Sequence, residues 1–452
     1  MATALTNYDG SITTTPQQLV YPQTVGEIQA VLKDTARYPS PVRAMGSHHS
    51  LTPCAASDGT IVNMSRMTRI VKIDHDRKTI TAEAGLQYID ANKALRKEHL
   101  QFMLNIEIGN MTLGSAACCH SKDALDGREF GQVCSYVTGI KWVAPTGELE
   151  EASDEKNPEL LRKIRTSYGL CGIVYEVTMR VKPIEAAQFT YLTRPVEDLT
   201  DAEVANIIDR SEGLVCWTLG RVSVFQTKKR IDDPKLVGRL QADGRRLLWN
   251  NVSAFWARAI DQYLDGPLEA LSRRHVERLT RMLFSTLQMT GGIHILDPDK
   301  TIDYRHSDEP KRYAFTFWAF PRSEWLSTLR AYLDFADDHH KRHGFRCNMP
   351  LGSYYIRKDQ RALLSYSNDG EIFSIDPIHA VTDQSAWDRF LREFNEFAAK
   401  RKGIPLLNQS PFVTRHHCEQ AFGTRWTEFS TWVRSVDPNG RMLNPFFRDL
   451  LS

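Results

Sequence analysis

Apolar residues recur at helical spacing in the first part of the chain. Thr24 and Glu27 have the spacing of a capping box, in which an N-cap side chain and a glutamate three residues later satisfy the first free N–H groups. Ile28, Val31 and Leu32 then fall on one helical face. A cap followed by such a stripe predicts an amphipathic helix directly after residue 24.

Short β-branched stretches and further helical stripes follow, separated by polar turns. Strand patterns occupy residues 41–45, 60–64, 69–74, 79–85, 137–152 (as a hairpin) and 172–183, and helical patterns occupy residues 88–99 and 157–167. The mixture of both kinds of pattern predicts an α+β sandwich in this part of the chain. It does not predict one long doubly wound sheet.

The pattern changes after Pro183, and we place a domain boundary near residue 185. A Trp- and Arg-rich helical region runs from Leu236 to Leu287, and strand patterns return at 312–320. They alternate with helical stripes at 323–341 and 385–403. This order predicts a second domain built from a mainly antiparallel sheet that is covered by helices.

The composition is that of an ordinary globular protein. Hydrophobic residues make up 42% of the chain, charged residues 25%, and the formal net charge is +2. This balance gives no reason to expect a nucleic-acid partner. Since the chain shows neither a signal-peptide pattern nor a long uncharged apolar run, we expect no membrane span and a cytoplasmic location.

Cysteine and histidine spacing argues against a metal centre. The eight cysteines show no C-x-x-C pair, so we expect reduced core thiols and no structural zinc. His339, His340 and His343 lie in a charged run that predicts a solvated helix end. We therefore expect them at the surface, not as metal ligands.

Three separated segments carry candidate chemistry. Residues 46–50 (GSHHS) follow a strand, residues 109–121 (GNMTLGSAACCHS) are almost all small, and residues 167–174 place two glycines before a strand. A glycine turn of the first kind either cradles a phosphate with its backbone N–H groups or simply ends a strand beside a hydrogen-bonded histidine. The other two segments fit close packing as well as ligand contact. Their joint order is what favours a bound dinucleotide.

These segments resemble the motifs of the vanillyl-alcohol oxidase and p-cresol methylhydroxylase (PCMH-type) flavin oxidases, nearest the aldonolactone and alditol oxidase branch. VRAMGSHHS resembles the family's strand ending in G-x-G-H-S, TLGSAACCH its T-I-G-G run, RTSYGLCGIVYEVT its R-x-S-L-G segment and DPNGRMLNPFF its C-terminal tail. The resemblance implies FAD as cofactor. It also implies a two-subdomain FAD-binding domain over residues 1–185, a substrate domain over 186–410, and a C-terminal segment, 411–452, that packs back near the flavin.

The resemblance assigns cofactor contacts residue by residue. The expected FAD-binding residues are Ala44, Met45, Gly46, Ser47, His48, His49 and Ser50 in the first segment, Gly109, Asn110, Thr112, Gly114, Ser115, Cys118 and Cys119 in the second, Gly172 and Ile173 in the third, and Asn444 in the tail. His49 takes the place of the histidine that bonds covalently to the flavin 8α-methyl, and His48 stands where a glycine is usual. Asn110 stands where some relatives carry a second attachment cysteine. We therefore expect one histidyl bond, with Cys118 and Cys119 as wall residues.

The charged substrate groups of the sugar-oxidising relatives are missing at the matching positions. Gly352 and Tyr354 stand in place of a glutamate and an arginine, and Gln409 in place of a lysine. The candidate catalytic residues are Tyr354, Asn408, Gln409 and His417, with His294 and His416 as further histidines that fit a structural role as well.

Two functions remain open at this stage. The first is an oxidase or dehydrogenase that moves hydride from a C–H next to O or N of a small molecule onto FAD, with O2 or another acceptor taking the electrons. The second is a flavin-holding protein whose site has drifted to non-redox or binding work. The resemblance favours the first.

Overall fold

The computed structural model describes residues 3–104, 106, 108–121, 129–231, 294–296, 314–380 and 383–452. The helical region predicted from Leu236 to Leu287 lies outside these residues. The described residues form helices and mainly antiparallel sheets, so the predicted α+β class is confirmed.

A small parallel sheet opens the fold. The strand Thr60–Asn63 lies between Gln18–Val20 and Val42–Met45, and the predicted first helix spans Val25–Lys33. Thr24 caps this helix by accepting from the Glu27 N–H (3.3 Å). The reciprocal bond of the expected capping box goes one residue further back, because the Glu27 carboxylate accepts from the Gln23 N–H (2.6 Å).

A six-stranded antiparallel sheet completes the first part of the chain. Its order is Leu149–Ser153, Val137–Val143, Ile173–Pro183, Thr79–Glu83 and Ile70–Asp74, with Leu100–Phe102 pairing the far end of Ile173–Pro183. The helices of this part are Tyr88–Lys97, Leu113–Cys118 and Pro158–Ile164, and Leu5–Thr6 pairs with Thr13–Thr14. The central strand, Ile173–Pro183, is the last element before the predicted boundary.

An eight-stranded antiparallel sheet dominates the remainder. Its order is His294–Leu296, Ala186–Pro195, Val222–Ile231, Gly213–Leu219, Leu351–Ile356, Ile372–Ile375, Trp318–Pro321 and Ile404–Pro405. Strand pairing thus changes from one sheet to the other between Pro183 and Ala186, beside the predicted boundary at 185. The domain limits themselves stay a prediction.

Helices cover one face of this large sheet. They are Asp201–Asp209, Trp325–His343 and Gln384–Ala399, and the short pair Ala314–Phe315 and Ile378–His379 lies beside them. Trp325 stacks on Phe373 with ring centroids 4.3 Å apart and donates its indole N–H to Ser353 Oγ (3.4 Å). Because side chains alternate along a strand, residues 352, 354 and 356 point to the opposite face, which we call the site face.

The C-terminal segment returns to the first part of the chain. Its helices are Arg415–Phe422, Thr424–Val436 and Pro445–Leu451. The Val42 N–H donates to the Arg441 carbonyl (2.8 Å). Residues before the last helix therefore contact the strand Val42–Met45 of the parallel sheet. Within the described residues, no helix has the length and apolar character needed to cross a membrane.

We expected His339, His340 and His343 at the surface. This expectation is wrong for His339, whose side chain is fully buried between two helices. Its Nδ1 and His343 Nε2 each lie 3.1 Å from the Glu393 carboxylate, a grouping that could hold a metal ion. Arg342 already brings a cation there: it donates to Glu393 (2.8 Å) and to His343 Nε2 (2.9 Å).

Candidate functional site

The first two predicted segments lie against each other. Gly46 follows the strand Val42–Met45, and a Cβ at this position would come within 2.4 Å of Thr112 Oγ1. Ser47 donates its hydroxyl to the Asn110 carbonyl. Glycine is therefore required at position 46 by close approach, and the two segments form one clamp, which we define as residues 46–50 and 109–115.

Small residues in the second segment also permit tight packing on its other side. Thr112 caps the helix Leu113–Cys118 by accepting from the Ser115 N–H (3.4 Å). A Cβ at Gly114 would lie 3.0 Å from the Ala84 Cβ, and the Gly109 carbonyl accepts from the Ile89 N–H (2.7 Å).

His48 adopts a left-handed backbone conformation, with φ +55°. A Cβ is disfavoured in this region and glycine is not. This conformation supplies the physical reason why the resembling family places glycine here. His49 follows with its ring centroid 5.2 Å from that of Tyr8, so the predicted attachment residue packs against the turn that joins the two N-terminal strands.

The third segment crosses behind the clamp. Tyr168 has φ +55°, and the Tyr168 N–H donates to the Cys118 carbonyl (2.8 Å). At Gly172, with φ +130°, a Cβ would come within 2.1 Å of the Val143 carbonyl oxygen. Ile173 then begins the central strand and is fully buried. Contact of Gly172 and Ile173 with the cofactor stays a prediction.

A buried histidine–tyrosine pair joins the second and third segments. His120 Nε2 donates to the Leu364 carbonyl (2.7 Å), so Nδ1 accepts from the Tyr168 hydroxyl (2.5 Å). Burial lowers the pKa of His120 to about 4. The ring therefore stays neutral at physiological pH. Both residues lie in segments that the sequence analysis singled out, but nothing local predicted their pairing, because they are 48 residues apart in the chain.

The loop that follows the strand Ile404–Pro405 reaches the clamp. The Leu51 N–H donates to the Asn408 carbonyl (2.8 Å), and Asn408 Nδ2 donates to the His120 carbonyl (3.0 Å). Thr52 donates its hydroxyl to the Leu407 carbonyl (2.7 Å). Two candidate catalytic residues, Asn408 and Gln409, thus lie beside the predicted cofactor segments.

Two buried acceptors in this loop have no hydrogen-bond partner among the described residues. They are Asn408 Oδ1 and Gln409 Oε1. A buried acceptor left unpaired costs about 1–3 kcal/mol, so a bound molecule that offers N–H or O–H donors would be stabilised here. Together with the close-fitting glycine turn, this makes the residues present compatible with a bound FAD and its substrate.

Tyr354 lies on the site face of the large sheet. Its ring centroid is 6.1 Å from that of Trp217, and it belongs to a buried cluster that also contains Phe317, Tyr366 and Leu406. Tyr366 in turn packs edge-on against His120, at 5.4 Å. The site face is therefore turned toward the residues that surround the clamp.

The register at Gly352 brings in a residue that sequence analysis missed. Gly352 and Asp376 form an antiparallel bridge, and Asp376 is almost completely buried. No local motif marks Asp376, because its position depends on pairing between two strands.

His417 is committed to helix packing. Its Nδ1 accepts from the Thr414 N–H (3.2 Å) as part of a helix cap, and Nε2 lies 3.1 Å from the Glu396 carboxylate. Both ring nitrogens of His417 are therefore engaged in structural contacts, which leaves neither of them for the predicted catalytic role. His416 is exposed, and His294 lies in the edge strand His294–Leu296.

Asn444 ties the tail to the turn that follows the clamp. Its Nδ2 donates to the carbonyls of Pro53 (2.8 Å) and Ala56 (2.9 Å), and its Oδ1 caps the last helix by accepting from the Phe447 N–H (3.1 Å). These bonds use both ends of the amide. Contact between Asn444 and the flavin remains a prediction.

The two cysteines near the clamp lie in surroundings that disfavour the thiolate form. Burial raises the pKa of Cys118 and of Cys119 well above the ordinary range, and all eight cysteines are free. A thiol held neutral is a poor nucleophile. The expected role of both residues as a wall near the cofactor stays a prediction.

Comparison with known proteins adds independent findings. A family model described as "FAD binding domain" matches residues 16–153, and one described as "D-arabinono-1,4-lactone oxidase" matches residues 177–450. The chain is 22% identical to L-gulonolactone oxidase of Scyliorhinus torazame over 438 residues, which cover 95% of this chain and 94% of that protein. It is 25% identical to L-gulono-1,4-lactone dehydrogenase of Mycobacterium tuberculosis over 186 residues, which cover 41% of this chain and 42% of that protein.

Solved structures share the fold at lower identity. Cholesterol oxidase from Brevibacterium sterolicum has a TM-score of 0.74 and 15% identity, with 100% of this chain and 97% of that chain covered. The two family models therefore define an FAD-binding oxidoreductase, and the predicted cofactor is confirmed. The chain belongs to the D-arabinono-1,4-lactone oxidase family.

Proposed function

We propose that this chain holds FAD through a covalent bond to His49 and oxidises a small polar or specialised metabolite by taking hydride from a C–H next to O or N. One observation carries the proposal: three distant stretches meet at one place, with Leu51 bonded to Asn408 (2.8 Å) and Asn408 to His120 (3.0 Å). These stretches are the turn that contains His49, the end of the small-residue segment at His120, and the loop that follows the strand Ile404–Pro405.

The bound flavin would supply the hydride-accepting chemistry, and the protein's own residues would do the rest. The clamp binds and orients the cofactor through backbone groups and close packing. Asn408 and Gln409 offer buried carbonyl oxygens to donors on the substrate. Tyr354 and Trp217 form an apolar aromatic wall that excludes water.

The replaced charged residues bear on the substrate. Relatives are named as lactone oxidases and dehydrogenases, whereas here Gly352, Tyr354 and Gln409 occupy the positions of the family's charged substrate groups. Loss of those groups weakens recognition of a polyol or lactone by charge. We therefore propose a less polar substrate than an aldonolactone, with O2 or another acceptor reoxidising the flavin.

The attachment is tested by denaturing the purified holoprotein in acid. We expect the yellow colour to stay with the wild-type chain and to be released from His49→Ala, because only a covalent bond survives loss of the fold. His75→Ala, which changes an exposed histidine, is the matched control and should keep its colour. Flavin that remains covalently bound in His49→Ala would refute the assignment.

Turnover is tested by mixing the oxidised holoprotein anaerobically with a panel of L-gulono-1,4-lactone, D-arabinono-1,4-lactone, xylitol and benzyl alcohol. An oxidoreductase bleaches the flavin absorbance with at least one class, and we expect the less polar alcohol to act faster than the lactones. The alternative, a flavin-holding protein without redox work, predicts no bleaching by any small alcohol, lactone or amine. Oxygen uptake compared with dye reduction then identifies the acceptor.

A further inference from the structure

We propose that Asp376 is the catalytic base of this site and accepts the proton of the substrate hydroxyl or amine. This inference rests on the proposed function, since it needs a flavin to accept hydride. It concerns a residue outside the three segments that bind the cofactor.

Strand register places the Asp376 side chain. The Asp376 N–H donates to the Gly352 carbonyl (2.8 Å), and the Gly352 N–H donates to the Asp376 carbonyl (3.1 Å). Residues that exchange both bonds in an antiparallel pair lie opposite each other and point to the same face, with Cα atoms about 5.5 Å apart. Asp376 therefore lies on the site face, next to Tyr354.

The absence of a side chain at Gly352 leaves room for this carboxylate. A Cβ at position 352 would be 3.4 Å from the rings of Trp217 and Tyr354 and 3.5 Å from the Asp376 Cβ. These three side chains therefore surround the same small volume. Asp376 contributes its acidic group to an otherwise aromatic wall.

The described residues include four buried acids, Glu83, Asp359, Asp376 and Asp437. Glu83 pairs with Arg69 (3.1 Å), Asp359 accepts from Ser135 and from the Arg361 N–H (2.9 Å), and Asp437 accepts from the N–H groups of Arg441 and Met442 (2.7 Å each). Of the four, Asp376 is the one that strand register places opposite Gly352, beside the rings of Trp217 and Tyr354.

The proposed step is balanced. The substrate C–H bond breaks and its electron pair leaves with the hydrogen as hydride to the flavin. The O–H or N–H bond breaks as its proton passes to Asp376, and the electron pair left behind forms the C=O or C=N bond. The carboxylate starts ionised and ends protonated, so the substrate loses two electrons and two hydrogens in all.

The test compares Asp376→Asn with Glu371→Gln. Glu371 directly precedes the strand Ile372–Ile375, and Asp376 directly follows it. Glu371 pairs with Arg322 (2.7 Å), away from Asp376. Its variant therefore removes a carboxylate without altering the site face. With a panel compound that bleaches the wild type, the rate of flavin reduction should fall about 10²–10⁴-fold in Asp376→Asn. It should change little in Glu371→Gln.

A second readout does not depend on the substrate. Sulfite adds to oxidised flavins as an anion, and a nearby carboxylate opposes this addition. We expect Asp376→Asn to bind sulfite about tenfold more tightly than the wild type, and Glu371→Gln to match the wild type. Unchanged sulfite affinity together with an unchanged reduction rate in Asp376→Asn overturns the proposal.

The two proposals fail in different ways. If no panel compound bleaches the wild type, the proposed function fails, and sulfite affinity alone then decides whether Asp376 faces the flavin: tighter binding in Asp376→Asn supports that position and unchanged binding overturns it. If the wild type is bleached, moving the acid gives a rescue test. Asp376→Ala with Gly352→Glu should recover part of the rate that Asp376→Ala loses, and no recovery counts against a base at this place.

Discussion

His48 carries a backbone cost at the residue that precedes the attachment histidine. Its φ of +55° lies in the left-handed region, which disfavours a side chain by about 1–2 kcal/mol. Histidine tolerates this conformation better than most residues, and a β-branched residue does not. The turn that presents His49 is therefore held by its surroundings against a local preference.

Substitution at position 48 measures that preference. We expect His48→Gly to leave the free energy of unfolding unchanged or to raise it by up to about 1 kcal/mol, and His48→Val to lower it by about 2 kcal/mol. Urea denaturation of the two variants checks this. Equal stability of the glycine and valine variants would show that the turn is relaxed.

The clamp residues could be predicted from the sequence because they lie in contiguous motifs. The residues 46–50 and 109–115 were predicted together, and the structure brings them into contact. The His120–Tyr168 pair and the position of Asp376 were not predicted, because both depend on contacts between residues far apart in the chain. His417 was proposed for catalysis on position alone, and its helix cap could not be foreseen.

At the scale of elements, the short strand Ile378–His379 packs under the helix Gln384–Ala399. The His379 ring stacks on Trp387 at 5.5 Å and contacts Phe345 at 4.8 Å. Neither of its buried ring nitrogens has a hydrogen-bond partner among the described residues. Burial lowers the pKa of His379 to about 4.

Acid should loosen this strand–helix packing. The ordinary pKa of histidine is about 6.5, so between pH 6.5 and 4 the unfolded chain binds a proton that the folded chain does not. Stability is therefore complete above pH 6.5 and falls as the pH drops, by at most about 3 kcal/mol from His379. His120, with its pKa also near 4, adds a similar fall.

His379→Leu separates the two contributions. Its unfolding free energy, measured by urea denaturation between pH 7.5 and 4.5, should fall less steeply than that of the wild type. The comparison at pH 7.5 serves as the control, because any difference there reports packing and not protonation. An identical slope in both proteins would contradict the prediction.

The sequence pattern predicted the positions of many helices and strands but not the order of the strands in the large sheet. The first helix, the strand patterns up to residue 183 and the stripes at 323–341 and 385–403 all correspond to observed elements, because each has a regular apolar period. The order of the strands in the large sheet did not follow from any pattern. Register depends on contacts between distant residues, which local periodicity does not encode.

On the scale of the whole molecule, Arg43 joins the two ends of the chain. This buried guanidinium donates to the carbonyls of Cys54 (2.8 Å), Tyr168 (2.5 Å) and Met442 (3.0 Å). Three separate stretches thus depend on one side chain. Arginine suits the position because its planar fork offers five donors in fixed directions.

Arg43→Lys should be costly. A lysine carries its three donors on one nitrogen and lacks the planar fork that reaches all three carbonyls. Each buried group left unpaired costs about 1–3 kcal/mol, so we expect a loss of roughly 3 kcal/mol or more in unfolding free energy. Arg37→Lys, at an exposed site, is the control and should change stability by less than about 0.5 kcal/mol. Urea denaturation measures both. Similar stability of the two variants would rule out this role for Arg43.

The bonds from Arg43 to Met442, and from Asn444 to Pro53 and Ala56, also bear on the order of events during biosynthesis. A ribosome releases the clamp turn nearly four hundred residues before it releases the segment that braces it. The nascent chain therefore lacks these hydrogen bonds until that segment has been translated. Flavin capture in its final form consequently follows synthesis of residues 442–444.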